Sequence, residues 1–264
     1  MFPKSERVIY GRNPLVEVVC QFRFPTILRI REKQLADFQD MIQKDYPIYS
    51  PQEPSFEVSR QAPRELTTMI DQMNIPIPPE FIVHRFSTKD SQRFISLRDE
   101  FMALAEKKYE RWESFREEII KAEDALRKVY KPAFYSRVGL RYRDIISRHS
   151  LELTNIKWQD LLQKHIIAEL GDKEVSDAIR RIQTRVIIEI PDVPNGRIAL
   201  NHGLIIPNGS VEECYLIDAD FSVERQEGVD EPFKILYEFN RMAGRLFRWA
   251  IKEKLYKAME PRAI

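Results

Sequence analysis

The chain has 264 residues, 43% of them hydrophobic and 11% aromatic, enough to fill a sizeable core in one large domain or two small ones. With 42 basic and 41 acidic residues its net charge is +1, without the basic surplus of a dedicated nucleic-acid binder. No apolar run approaches the roughly 18 residues of a membrane span, and the opening MFPKSERVIYGRNP has no apolar signal segment. Cys20 and Cys214, far apart and inside predicted strands, read as core residues of a reducing compartment, so a cytoplasmic protein is expected.

Residues 13–25, NPLVEVVCQFRFP, alternate: Val16, Val18, Cys20, Phe22 and Phe24 face one way, Glu17, Val19, Gln21 and Arg23 the other. Period-2 alternation predicts a strand with one face on a core and one wetter face. Leu35, Phe38, Met41 and Ile42 then recur at helical spacing until Pro47. Seven prolines in 47–79 predict a long excursion around a short strand near 54–60. Residues 80–88 and 93–99 read as hairpin strands. A long helix is expected over 109–130, with Trp112, Phe115, Ile119, Ala122, Leu126 and Val129 as its stripe and Pro132 as its stop.

The second half repeats this order. Residues 134–146 form the predicted strand, and 155–170 a helix with Trp158, Leu161, Leu162 and Ile166 inward. Strands are expected at 180–190, 196–205 and 214–223, separated by turn residues. A final long helix over 231–259 starts with Pro232 in its first turn. Each half thus reads strand, helix, three strands, helix. The fold expected is α+β: two pseudo-repeated halves, 1–131 and 132–264, joined as one globular unit. Their strands would form a curved, mostly antiparallel sheet with the long helices on one face, in the manner of a saddle or helix-grip.

The motifs NPLVEVVCQFRFP, YERWESF (109–115), VGLRYRDII (138–146) and YLIDADF (215–221) occur in that order over nearly the whole chain. In these the chain resembles a sporadically distributed family of uncharacterised bacterial proteins with this opening strand and a later Gly-Leu-Arg-Tyr motif. That family often has Asn where this chain has Asp144. The resemblance implies a bacterial, soluble protein and brings no activity, cofactor or catalytic residue with it.

Catalytic signatures were sought by spacing. His84 and His202 lie among apolar neighbours on predicted strands, and no HExxH, HxH or CxxC spacing occurs, so no metal site is expected. Neither a GxGxxG nor a GxxxxGK[ST] loop is present, nor a GxSxG elbow; no catalytic residue and no cofactor is expected. Asp218 and Asp220, i and i+2 on a strand, lie about 7 Å apart on one side. They read either as a divalent-cation or acid–base pair or, in the favoured reading, as cross-strand partners of arginines. Arg137, Arg141 and Arg143 share a parity on strand 134–146, as do Arg181, Gln183 and Arg185 on strand 180–190. With Asn201, Asp218 and Asp220 they are expected to converge on the polar sheet face, continuous with Glu17, Gln21 and Arg23.

On the final helix, Leu236, Ala243, Phe247, Ala250, Ile251 and Lys254 follow the core-facing stripe. Arg245, Trp249, Lys252 and Tyr256 fall on another side, the composition of a protein–protein anchor, most simply in a homodimer. The alternative is that Trp249 is covered within the chain. The function expected is therefore a non-enzymatic binding or regulatory module acting through a protein partner, in bacterial defence or toxin neutralisation. The alternative is nucleic-acid or nucleotide binding on the arginine-rich sheet face.

Overall fold

The computed structural model describes residues 1–31, 35–52, 82–225 and 228–263; the strand expected near 54–60 lies outside the described residues. The opening alternation forms a strand, β2 (Leu15–Arg23), preceded by a short β1 (Val8–Tyr10). Val18, Cys20 and Phe22 are buried as expected, but Val16 is 37% exposed. A bulge explains this: Leu15 pairs with Asp144 and Glu17 with Arg143, so Val16 is skipped in the ladder. Two short helices follow, α1 (Leu28–Arg31) and α2 (Leu35–Ile42), then β3 (Ile48–Gln52), β4 (Val83–Ser87), β5 (Arg93–Arg98) and β6 (Phe101–Glu106). Among the described residues the first half has four strands after α2, β3 to β6, of which β4 and β5 are the expected hairpin strands. Strand β6 escaped notice because Asp99 and Glu100, a tight turn, separate it from β5 by only two residues.

Helix α3 (Trp112–Tyr130) buries Trp112, Phe115, Ile119, Ala122 and Leu126, the expected stripe, and adds Glu118 and Glu123 to it. These two carboxylates have partners. Tyr46 donates to Glu118 at 2.8 Å, Arg93 lies 3.3 Å from it, and Tyr135 donates to Glu123 at 2.7 Å. Buried charge is tolerated only when bonded in this way.

Strand β7 (Arg137–Ile146) opens the second half. The expected helix 155–170 is instead two four-residue pieces, α4 (Trp158–Leu161) and α5 (Lys164–Ile167). After them come β8 (Gln183–Glu189), β9 (Gly196–Ile205) and β10 (Cys214–Glu224). The expected helix 231–259 is also divided, into α6 (Pro232–Ala250) and α7 (Glu253–Ala258), before a short β11 (Pro261–Ala263). One contact explains both corrections. Ile251 adopts extended backbone and bridges Leu162, while Gln163 N–H donates to the carbonyl of Ala250 and Lys252 N–H to that of Leu161. The two chains satisfy each other's helix-end groups, so neither helix continues. As a result Leu255, not Lys254, takes the next core position.

Among the described residues nine strands form one antiparallel sheet in the order β3-β4-β5-β6-β2-β7-β10-β9-β8; β1 and β11 pair separately. Within this sheet the halves meet at the β2–β7 ladder, and each of these two interior strands has on its other side a strand of its own half, β6 beside β2 and β10 beside β7. All the helix contacts fall on one face: Phe38 of α2 on Phe86, Glu118 of α3 on Arg93, Tyr215 on the carbonyl of Ile166 in α5, and Tyr142 on Asn240 of α6. That face carries the core. Both cysteines are buried and unpaired, and His202 is buried against Tyr215 at 3.0 Å. Among the described residues no helix is long and apolar enough to cross a membrane.

Candidate functional site: a polar sheet face and a cleft beneath the last helix

The sheet has two faces, and each gathers functional groups. On the outer face, registers align Glu17, Arg143, Asp218, Asn201 and Arg185 in one row across five strands. The ion pairs run diagonally rather than straight across. Arg141 is opposite Asp220 but binds Asp218 with two bonds of 2.7 and 2.6 Å. Arg137 binds both oxygens of Asp220 at 3.0 and 2.9 Å and donates to Gln21 at 2.8 Å. Diagonal neighbours on adjacent strands are within reach of a long side chain. The bonds to Asp218 raise the pKa of Arg141. Asp218 and Asp220 are thus arginine partners, as the favoured reading has it. Arg143 is displaced from Asp218 and buries its Nε without an acceptor. Arg185 is exposed on the edge strand β8, and Arg181 precedes that strand, donating to Gln183 at 3.3 Å. The eight residues expected on this face share it except Arg181, which stands outside the sheet.

The inner face holds what the sequence reading missed. Between the sheet, the N-terminal segment and α6 lies an open cleft of about 1070 Å³. Its floor includes Asp144, which falls on the apolar parity of β7 beside Tyr142, at the bulge in β2. Asp144 is 8% exposed and has no hydrogen-bond or ion-pair partner among the described residues. Burial, with the charge of Asp218 behind it, pushes its pKa up to about 8. A buried carboxyl without a partner costs free energy that most proteins avoid spending.

The polar groups beside it are half used. Tyr142 donates to Asn240 Oδ1 at 2.9 Å, leaving the Asn240 amide N–H groups free. Gln163 Nε2 donates to the carbonyl of Ile251 at 3.2 Å, leaving its own Oε1. Trp112 is 3% exposed and buries its indole N–H without an acceptor. Tyr10, packed edge-on against Phe247 and Tyr256, forms an aromatic wall.

Around the mouth stand Lys4, Arg7, Arg111, Arg241, Arg245 and Arg248, against Glu6 and Glu110. Three of these cations are spoken for: Arg7 by Glu113 at 2.9 Å, Arg241 by Glu238 at 3.5 Å and Arg248 by Glu253 at 2.7 Å. Arg111 reaches only the hydroxyl of Ser114, at 3.3 Å. Lys4 and Arg245 have no partner among the described residues.

Gly244 lines the same cleft from within α6, and a Cβ there would meet no atom within 4 Å. Glycine in a helix interior costs about 1 kcal/mol relative to alanine, and no neighbour in this fold requires its absence of side chain. The glycine keeps the cleft open at the expense of the helix.

The four residues expected as a protein anchor separate. Arg245, Trp249 and Tyr256 line the cleft, Tyr256 from α7 rather than from one continuous helix. Trp249 stacks on His165 at 3.8 Å between ring centroids and meets Phe2 at 5.3 Å. Lys252 instead donates to the carbonyl of Gln159 at 2.6 Å. Two signals in the sequence pointed to this cleft: a carboxylate on the apolar parity of strand 134–146, and a glycine inside an amphipathic helix. No family model matches the chain, and no curated protein matches it in sequence.

Proposed function

We propose that the protein is a non-enzymatic binding module that takes a small ligand into the cleft between the sheet and α6. The observation that carries this reading is Asp144, buried on the cleft floor with no hydrogen-bond or ion-pair partner among the described residues. A ligand that supplies hydrogen bonds to that carboxyl removes the cost of burying it. Gly244, with empty space where a side chain would sit, supports the same reading. The cleft volume of about 1070 Å³ is just above the range of small-molecule sites, about 300–1000 Å³. In this reading the occupied protein acts on a protein partner, the role expected of a regulatory module.

The test compares wild type with Gly244→Trp, whose indole fills the cleft while leaving the helix backbone unobstructed. Both are taken through a thermal-shift screen of metabolites: sugar phosphates, amino acids, polyamines, nucleosides and nucleotides. A compound that raises the wild-type melting temperature by several degrees and leaves Gly244→Trp unmoved is the expected result. Equal responses of the two proteins, or no response from either, would count against the cleft as a site.

A further inference from the structure

We infer that the cleft's ligand is a nucleotide, with its base at Asp144 and its phosphate at Arg245 and Lys4. The inference rests on the ligand-binding reading above and names the chemistry of that ligand. Three features of the cleft converge on it.

The inner end asks for a group with hydrogen-bonding edges. Asp144 offers a carboxyl, Asn240 a free amide N–H pair and Gln163 a free carbonyl oxygen, all lining one cleft. A nucleobase presents donors and acceptors side by side on one edge, which is what such a set can pair. A simple amine would satisfy the carboxyl but leave the Asn240 donors without an acceptor.

The walls ask for a flat ring. Tyr10, Tyr109, Trp112 and Phe247 line the same cleft as Asp144. Aromatic side chains stack favourably on a base, and a sugar or an aliphatic amino acid would gain little from these surfaces.

The outer end asks for an anion. Among the rim cations, Lys4 and Arg245 have no partner among the described residues. The planar fork of arginine binds phosphate through two bonds at once. Arg245 and Gly244 both line the cleft from α6, and a Cβ at Gly244 would meet only open space. A ring with hydrogen-bonding edges at one end and a phosphate at the other is a nucleotide.

Isothermal titration of the full chain tests this with three probe sets: the four ribonucleoside 5′-monophosphates, the matching nucleosides, and ribose 5-phosphate. At least one monophosphate is expected to bind about tenfold more tightly than its nucleoside and than ribose 5-phosphate. Arg245→Ala should weaken that monophosphate about tenfold and leave the nucleoside unchanged. Asp144→Asn should weaken monophosphate and nucleoside alike and leave ribose 5-phosphate unchanged, and Gly244→Trp should abolish all three. If no monophosphate binds while another metabolite stabilises wild type and not Gly244→Trp, the nucleotide inference falls and the cleft reading stands. If a monophosphate binds equally to wild type, Asp144→Asn and Gly244→Trp, it sits elsewhere, on the arginine-bearing sheet face for instance, and both fall.

Discussion

The guanidinium of Arg137 lies over Gly139, two residues along its own strand, where any Cβ would collide with it. From that position Arg137 reaches Gln21 on β2 and Asp220 on β10, bonding the two strands that flank β7. The glycine of the Gly-Leu-Arg-Tyr stretch therefore gives that guanidinium a flat track across the junction of the two halves, and a side chain there would make it shift.

Gly139→Ala is expected to destabilise the protein by about 1–3 kcal/mol, because the guanidinium must lift and leave Gln21 and Asp220 without their shared donor. A double-mutant cycle with Arg137→Ala checks the cause. In the Arg137→Ala background the added methyl should cost far less, and an equal cost in both backgrounds would place the strain in the strand itself.

Asp144 should give the protein a pH dependence of unusual sign. Its unfolded-state pKa is about 3.9, and its folded value is pushed up to about 8 by burial. Across that window the folded protein holds a proton that the unfolded chain has released, so stability falls as pH rises and levels off above about 8. The tyrosines that face it do not reverse this: burial raises Tyr10 and Tyr142 above their usual range. Asp144→Asn removes the titration while keeping the shape. Its stability should match wild type near pH 4 and exceed it at pH 8 by an amount on the order of a few kcal/mol, read as a higher melting temperature there. Parallel stability curves for the two proteins would contradict the burial argument.

The β2–β7 ladder should make the two halves one folding unit. It lies in the middle of the nine-stranded sheet and pairs residues from Leu15 to Arg23 with residues from Asp144 to Arg137. Fragments 1–131 and 132–264 would each expose a long interior strand as an edge, which invites aggregation. Wild type is expected to unfold in one transition in urea, and the separate fragments to be unfolded or aggregated by circular dichroism and sedimentation. Two transitions, or two fragments that fold, would show independent domains.

The sequence by itself determined the class of the fold and the composition of both sheet faces. Alternation over 13–25 and 134–146 separated core from polar positions because a strand's side chains obey a period of two wherever the ladder is regular. That Asp218 and Asp220 face arginines of a neighbouring strand was legible for the same reason; that Arg141 takes Asp218 on the diagonal depends on the register of β7 and β10. Helix ends were not legible where distant segments decide them: the pairing of Ile251 with Leu162, 89 positions apart, cut two expected helices into four. The hydrophobic pattern there fits a helix, but backbone groups can be satisfied across the chain as well as along it. The cleft belongs wholly to the tertiary structure. Lys4, Asp144 and the Gly244–Arg245 pair are far apart in sequence and line one cleft because α6 packs over β7 and β10, near the β2 bulge, with the N-terminal segment beside it. A lone carboxylate among apolar residues shows in the sequence as an exception. Its lack of a partner is a three-dimensional fact, since only the folded chain decides which groups reach it.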